Sequence, residues 1–134
     1  MAVDRLSSSC IYTLLHSGRL REQAKEGGRQ ELTERNKPWR RGSQLWAEAE
    51  RAGDRMAIVF AGADDTEPGL IYWAVIDDIT INEENRSTTC TYTNVRPIRP
   101  PKPLSALRLL KSGRQLSDAD IRPYRICQTP SFLV

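Results

Sequence analysis

The segment Trp39-Arg40-Arg41-Gly42-Ser43-Gln44-Leu45-Trp46 sets two indole rings around two guanidinium groups. Flat aromatic faces beside fixed positive charge are the equipment for stacking a nucleobase while its phosphate is held. Tyr72-Trp73 and the alternating set Tyr92, Asn94 and Arg96 add rings, donors and a cation further along the chain. Successive residues of a strand point to opposite faces, so Tyr72 and Trp73 cannot serve one pocket together, whereas Tyr92, Asn94 and Arg96 should share a side. The candidate nucleic-acid-binding residues are thus Trp39, Arg40, Arg41, Ser43, Trp46, Tyr72, Trp73, Asn94 and Arg96. For each ring the competing reading is core packing, which suits Trp39 least because Pro38, Arg40 and Arg41 surround it.

Covalent chemistry has less to work with. His16 is the single histidine, which excludes paired-histidine metal sites and leaves a nucleophile such as Cys10 at no recognisable motif spacing from its base. Asp77 and Asp78 would point to opposite faces of a strand. Gly27-Gly28 lacks the Gly-Lys-Ser/Thr ending of a phosphate loop. Cys10, Cys90 and Cys127 form no CxxC pair and read as small core residues. No catalytic residue, metal site or cofactor is assigned, and the balance leans towards binding over catalysis.

Formal charge is +3 overall but unevenly spread. Residues 1–52 carry 10 Lys/Arg against 7 Asp/Glu, residues 53–92 carry 2 against 8, and residues 93–134 carry 8 against 2. Basic ends lying side by side would make a face that tracks phosphates; the alternative is 16 arginines scattered over a wet surface.

A chain of 134 residues suits one domain, 1–134, with one ordinary core. No apolar run approaches the roughly 20 residues that span a bilayer, and the N-terminus lacks a secretory signal, so a cytoplasmic protein without membrane contact is expected. Ile11 to Leu20 fits a short helix or a first strand, and the charged stretch Arg21 to Lys37 an exposed helix or loop ended by Pro38. Ser43 should cap a helix that Gly53 stops. Arg55 to Ala61 and Leu70 to Ile81 should form a hairpin across the turn from Asp64 to Gly69, followed by a third strand from Thr88 to Val95. Prolines 97, 100, 101 and 103 should break ladder pairing, and Leu104, Leu107 and Leu110 should line a late helix stopped by Gly113. Ser117 to Asp120 matches a capping pattern with room for barely a turn before Pro123, and a last strand is expected near Tyr124 to Cys127, with Phe132 on the core.

Trp39 before a helix, Gly53-Asp54-Arg55 opening an apolar strand, then Gly69-Leu70-Ile71-Tyr72-Trp73-Ala74-Val75-Ile76 and a late leucine segment resemble the PUA-like superfold, especially its EVE and ASCH branches. The likeness covers about residues 39–134 and departs from the EVE pattern in the long charged segment before Trp39 and the proline-rich Arg96 to Pro103 stretch. It implies an α+β fold with a small, curved, barrel-like antiparallel or mixed sheet and peripheral helices. It also implies a modified or unpaired base held in an aromatic pocket, with Trp39, Ser43 and Tyr72 or Trp73 at pocket positions. The expected function is DNA or RNA binding, with Arg40, Arg41, Arg96 and Arg99 on phosphates. The alternatives are a small ASCH-like hydrolase or nuclease, and a protein-interaction module whose basic ends meet an acidic partner.

Overall fold

The computed structural model describes residues 5–64, 69–120 and 124–133. In chain order the elements are β1 (Leu6–Leu15), α1 (Ser17–Glu26), β2 (Arg29–Glu34), α2 (Arg40–Arg51), β3 (Arg55–Gly62), β4 (Gly69–Asn82), β5 (Ser87–Pro103) and β6 (Arg125–Gln128). The six strands form one mixed sheet in the order β2-β5-β4-β3-β1-β6, with β1 and β3 parallel and the other pairs antiparallel. This is an α+β fold. The expected barrel-like curl is not found: the sheet is open, with β2 at one edge and β6 at the other.

Openness divides the core in two. Along β3, Ala57, Val59 and Ala61 enter one apolar cluster and Met56, Ile58 and Phe60 the other, so both faces of this central strand are covered. Such a strand reads as an unbroken apolar run without alternation. Leu20 of α1 and Leu45 and Trp46 of α2 lie on the Phe60 side, while Leu104, Leu107, Leu116 and Leu133 of the C-terminal segment cover the Val59 side.

Several boundaries differ from expectation for identifiable reasons. The stretch from Arg21 to Lys37 is neither all helix nor loop: Gly27 and Gly28 both take positive φ, 69° and 73°, and turn the chain from α1 into β2. Helix α2 starts at Arg40 with Trp39 in the capping position, so Ser43 lies inside the helix and donates its N–H to the Trp39 carbonyl at 2.8 Å. Gly53, at φ 78°, follows α2 as expected. The prolines do not end pairing, because β5 past Thr93 has β4 on one side only and a strand edge tolerates missing N–H donors. Leu104 to Ala106 is one 3-10 turn, not the start of a leucine helix. The chain then folds back on itself, with the Leu116 N–H donating to the Leu107 carbonyl and the Leu109 N–H to the Arg114 carbonyl. This hairpin covers the outer edge of β6 through the N–H of Leu110 on Ile126 and of Gln128 on Arg108, which a helix could not do. Within the turn expected from Asp64 to Gly69, residues 65–68 lie outside the described residues, as does Pro123.

Asp120 anchors the hairpin. It is 2% exposed and accepts from Arg114 Nη1 and Nη2, both at 3.1 Å, from Arg125 Nε at 3.4 Å and from the Ser117 N–H at 2.8 Å. Chiefly through the Arg114 bonds, its pKa falls to about 2. A depressed carboxylate stabilises the fold above its unfolded pKa, and that contribution disappears as pH drops through the folded value. Asp120→Asn is therefore expected to cost about 2 kcal/mol at pH 7, with the gap to the parent closing between roughly pH 4 and pH 2. Urea melts across that range measure it, and a gap that persists at pH 2 would exclude this origin.

Candidate functional site

The nine candidate residues separate into distinct places. Trp39 is fully buried, its ring stacked on Tyr124 at 4.8 Å between centroids and 9° between planes. Its indole N–H donates to Glu34 Oε1 at 3.3 Å and its backbone N–H to Thr88 Oγ1 at 2.8 Å. Gly42 faces the same stack: an added Cβ would sit 3.1 Å from both Ile11 Cδ1 and Tyr124 Cε1, and its N–H donates to the Tyr124 hydroxyl. Trp46 and Ser43 are half-buried on α2. Arg40 makes a two-pronged pair with Glu83 at 2.7 and 2.9 Å, and Arg41 donates to Gln44 at 2.9 Å. The Trp39 ring is therefore a core element, and the anticipated hollow between it and the ring of Tyr72 or Trp73 does not form.

Tyr92, Asn94 and Arg96 do not share a side either. Trp73 pairs with Arg96 and Val75 with Thr93, so two residues of β5, Asn94 and Val95, oppose the single Ala74 of β4. This bulge places Asn94 at φ 65°, a left-handed conformation that asparagine tolerates well. One extra residue reverses the alternation of the residues that follow it, here Arg96 relative to Tyr92. Tyr92 is buried on the helix side, its hydroxyl donating to Gln23 Oε1 at 2.7 Å, while Arg96 emerges on the opposite side with Trp73.

That reversal builds a site. The Arg96 guanidinium lies 3.9 Å above the Trp73 ring, and Trp73 is only 4% exposed, so the indole acts as a platform for the cation. Burial pushes the Arg96 pKa down, and its Nε is buried without a hydrogen-bond partner. A hollow of about 260 Å³ opens beside it, lined by Trp73, Arg96, Arg99, Lys102 and Phe132. Lys102 Nζ stands 5.6 Å from the centre of the Phe132 ring. A second hollow, of about 440 Å³, is lined by Ser17, Arg21, Tyr72, Arg99 and Pro101. Arg99 borders both, and no carboxylate lines either among the described residues.

Sequence reasoning missed Arg21, Lys102 and Phe132 as members of this site. A signal for Lys102 was present: Arg96, Arg99 and Lys102 recur at intervals of three through a proline-rich run, the period that places side chains on one side of an extended polyproline-like chain. Nothing local marks Arg21 or Phe132, which arrive from distant elements.

The nucleophile–histidine arrangement is not assembled. Burial raises the Cys10 thiol pKa well above its ordinary value, and His16 is exposed. The Ser17 hydroxyl and backbone N–H both donate to Asp64, at 2.9 and 2.8 Å, and Asp64 lies 3.9 Å from His16 Nδ1. Those Ser17 bonds hold the Asp64 pKa below its usual value, so the carboxylate caps the start of α1. Cys90 and Cys127 are likewise buried, with thiols pushed up by desolvation, Cys127 to about 12. Asp77 is gripped by Arg55 at 3.2 Å and Arg29 at 3.6 Å, while Asp78 accepts from Thr80. Among the described residues, no group of three or more His, Cys, Asp or Glu side chains is arranged to hold a metal ion, and no helix is long and apolar enough to cross a membrane.

No protein-family model, curated protein or solved structure matches this chain.

Proposed function

We propose that this chain is a nucleic-acid-binding domain that grips a single strand mainly through its phosphates, using Arg96, Arg99 and Lys102 along the proline-rich half of β5 and Arg21 from the adjoining α1. The observation that carries the reading is Arg96, held over Trp73 with its Nε unpartnered, in a hollow shared with two further cations and no described carboxylate. A guanidinium whose orientation is already fixed loses little freedom when it binds an oxyanion. Cations on both flanks of one ridge suit a polymer of phosphates better than one small anion.

The likeness to PUA-like, EVE and ASCH sequences points to the same ligand class, with recognition of a modified or unpaired base as its finer form. On this chain the rings placed to stack a base are the half-buried Phe132 and Tyr72, each beside a cation, and not Trp39. A stacked base would add about 1–3 kcal/mol, so phosphate contacts set the affinity and the rings set the preference for unpaired bases.

Fluorescence anisotropy with single-stranded RNA, single-stranded DNA and duplex probes tests the reading. Four cations on a single strand should give a log–log salt slope of about −3. Absence of binding near 50 mM salt, or binding insensitive to salt, would overturn it.

A further inference from the structure

A hollow of about 870 Å³ lies away from the cationic ridge and is lined by Leu109, Leu110, Ile126, Arg41, Lys111 and Ser112. It exists because the helical layer is incomplete. Helix α1 packs on β5, and α2 on β4, β3 and β1, while β6 and the Leu109–Leu110 strip bonded to it extend the sheet past the last helix. Leu110 and Ile126, half-buried on the face that carries the helices, are thus left as an apolar lane beside the start of α2, while the neighbouring Leu109 packs its side chain on the opposite cluster and only borders the hollow. Two exposed cations border it, Arg41 from α2 and Lys111 from the hairpin, and no described lining residue is acidic.

We infer that this lane is a docking groove for one amphipathic, acidic α-helix of a partner protein, which would lie beside α2 and complete the helical layer. A volume near the top of the roughly 300–1,000 Å³ range of binding clefts suits several large apolar side chains, such as the i, i+3, i+4 and i+7 anchors of a helix. The lining separates this groove from the phosphate site: the aliphatic side chains of Leu110 and Ile126 gain nothing from a sugar–phosphate chain, whereas an apolar helical stripe buries them. The two rim cations select the sign of the residues flanking that stripe. A second copy of this chain offers no acidic helix, since α1 carries Arg19, Arg21 and Lys25 against Glu22 and Glu26, and α2 carries Arg40, Arg41 and Arg51 against Glu48 and Glu50.

The test uses two synthetic helical peptides with the same leucine stripe, one flanked by glutamates and one by lysines, titrated into methyl-labelled full-length protein. The acidic peptide is expected to shift the methyl signals of Leu110 and Ile126, with the basic peptide at least about tenfold weaker. Leu110→Asp should abolish the effect. Because that change could disturb the hairpin, the charge-reversed variant Arg41→Glu/Lys111→Glu provides the second arm: both residues are exposed, its melting should match the parent, and it should prefer the basic peptide. Equal binding of both peptides, shifts elsewhere, no binding, or a concentration-dependent dimer that occupies the groove would each overturn the inference. None of these outcomes bears on oligonucleotide binding, which is read separately.

Discussion

Replacing Arg96, Arg99 and Lys102 together by alanine should weaken single-strand binding about 100-fold at 50 mM salt and flatten the salt slope by about 2 units. Each cation that meets a phosphate releases roughly 0.7 of a counterion from a single strand, so three removed contacts account for the change in slope. Stability should fall by only about 1 kcal/mol, chiefly from loss of the Arg96 stem on Trp73. A control variant with Arg35, Arg51 and Arg86 changed to alanine removes the same formal charge from exposed positions elsewhere, none of them on α1 or the proline-rich half of β5. It should lose less than about tenfold, because charges beyond a Debye length of about 10 Å contribute weakly. Equal losses in the two variants would show that net charge, and not the β5 ridge, is being measured.

Trp39→Ala should cost about 3–5 kcal/mol of folding stability. The fully buried ring is stacked on Tyr124, and its removal also leaves Glu34 without its indole donor. With a urea dependence of roughly 1–3 kcal/mol per molar, the unfolding midpoint should drop by about 2 M. Where the variant remains folded, its oligonucleotide affinity should stay within about threefold of the parent, since Trp39 lines neither cationic hollow. The reverse result, intact stability with lost binding, would return this ring to the ligand.

The contrast between these two variants follows from what each residue pattern encodes. Trp39 has polar and charged sequence neighbours and reads as a surface ring, yet Tyr124 and Thr88, 85 and 49 positions away, enclose it. Trp73 lies in an apolar strand and is indeed nearly covered, but by an arginine. Arg40 and Arg96 are indistinguishable as isolated arginines. Glu83 from the β4–β5 turn neutralises the first, while the second rests on an indole. In each case the deciding partner comes from strand pairing.

Local chemistry in the chain was enough to specify β3 as an apolar strand, the Gly53 stop after α2, the β3–β4 antiparallel pair and the three buried cysteines. Apolar periodicity and backbone freedom act over a few residues and need no distant partner. Tertiary structure alone decided the parallel pairing of β1 with β3, the hairpin in place of a leucine helix, the open sheet and the position of Arg96. A single bulged residue at Asn94 puts Arg96 on the face opposite Tyr92, and its location depends on how β5 aligns with β4. Charge and ring content thus suggested the ligand class proposed here, while strand register determined which cations and rings stand together.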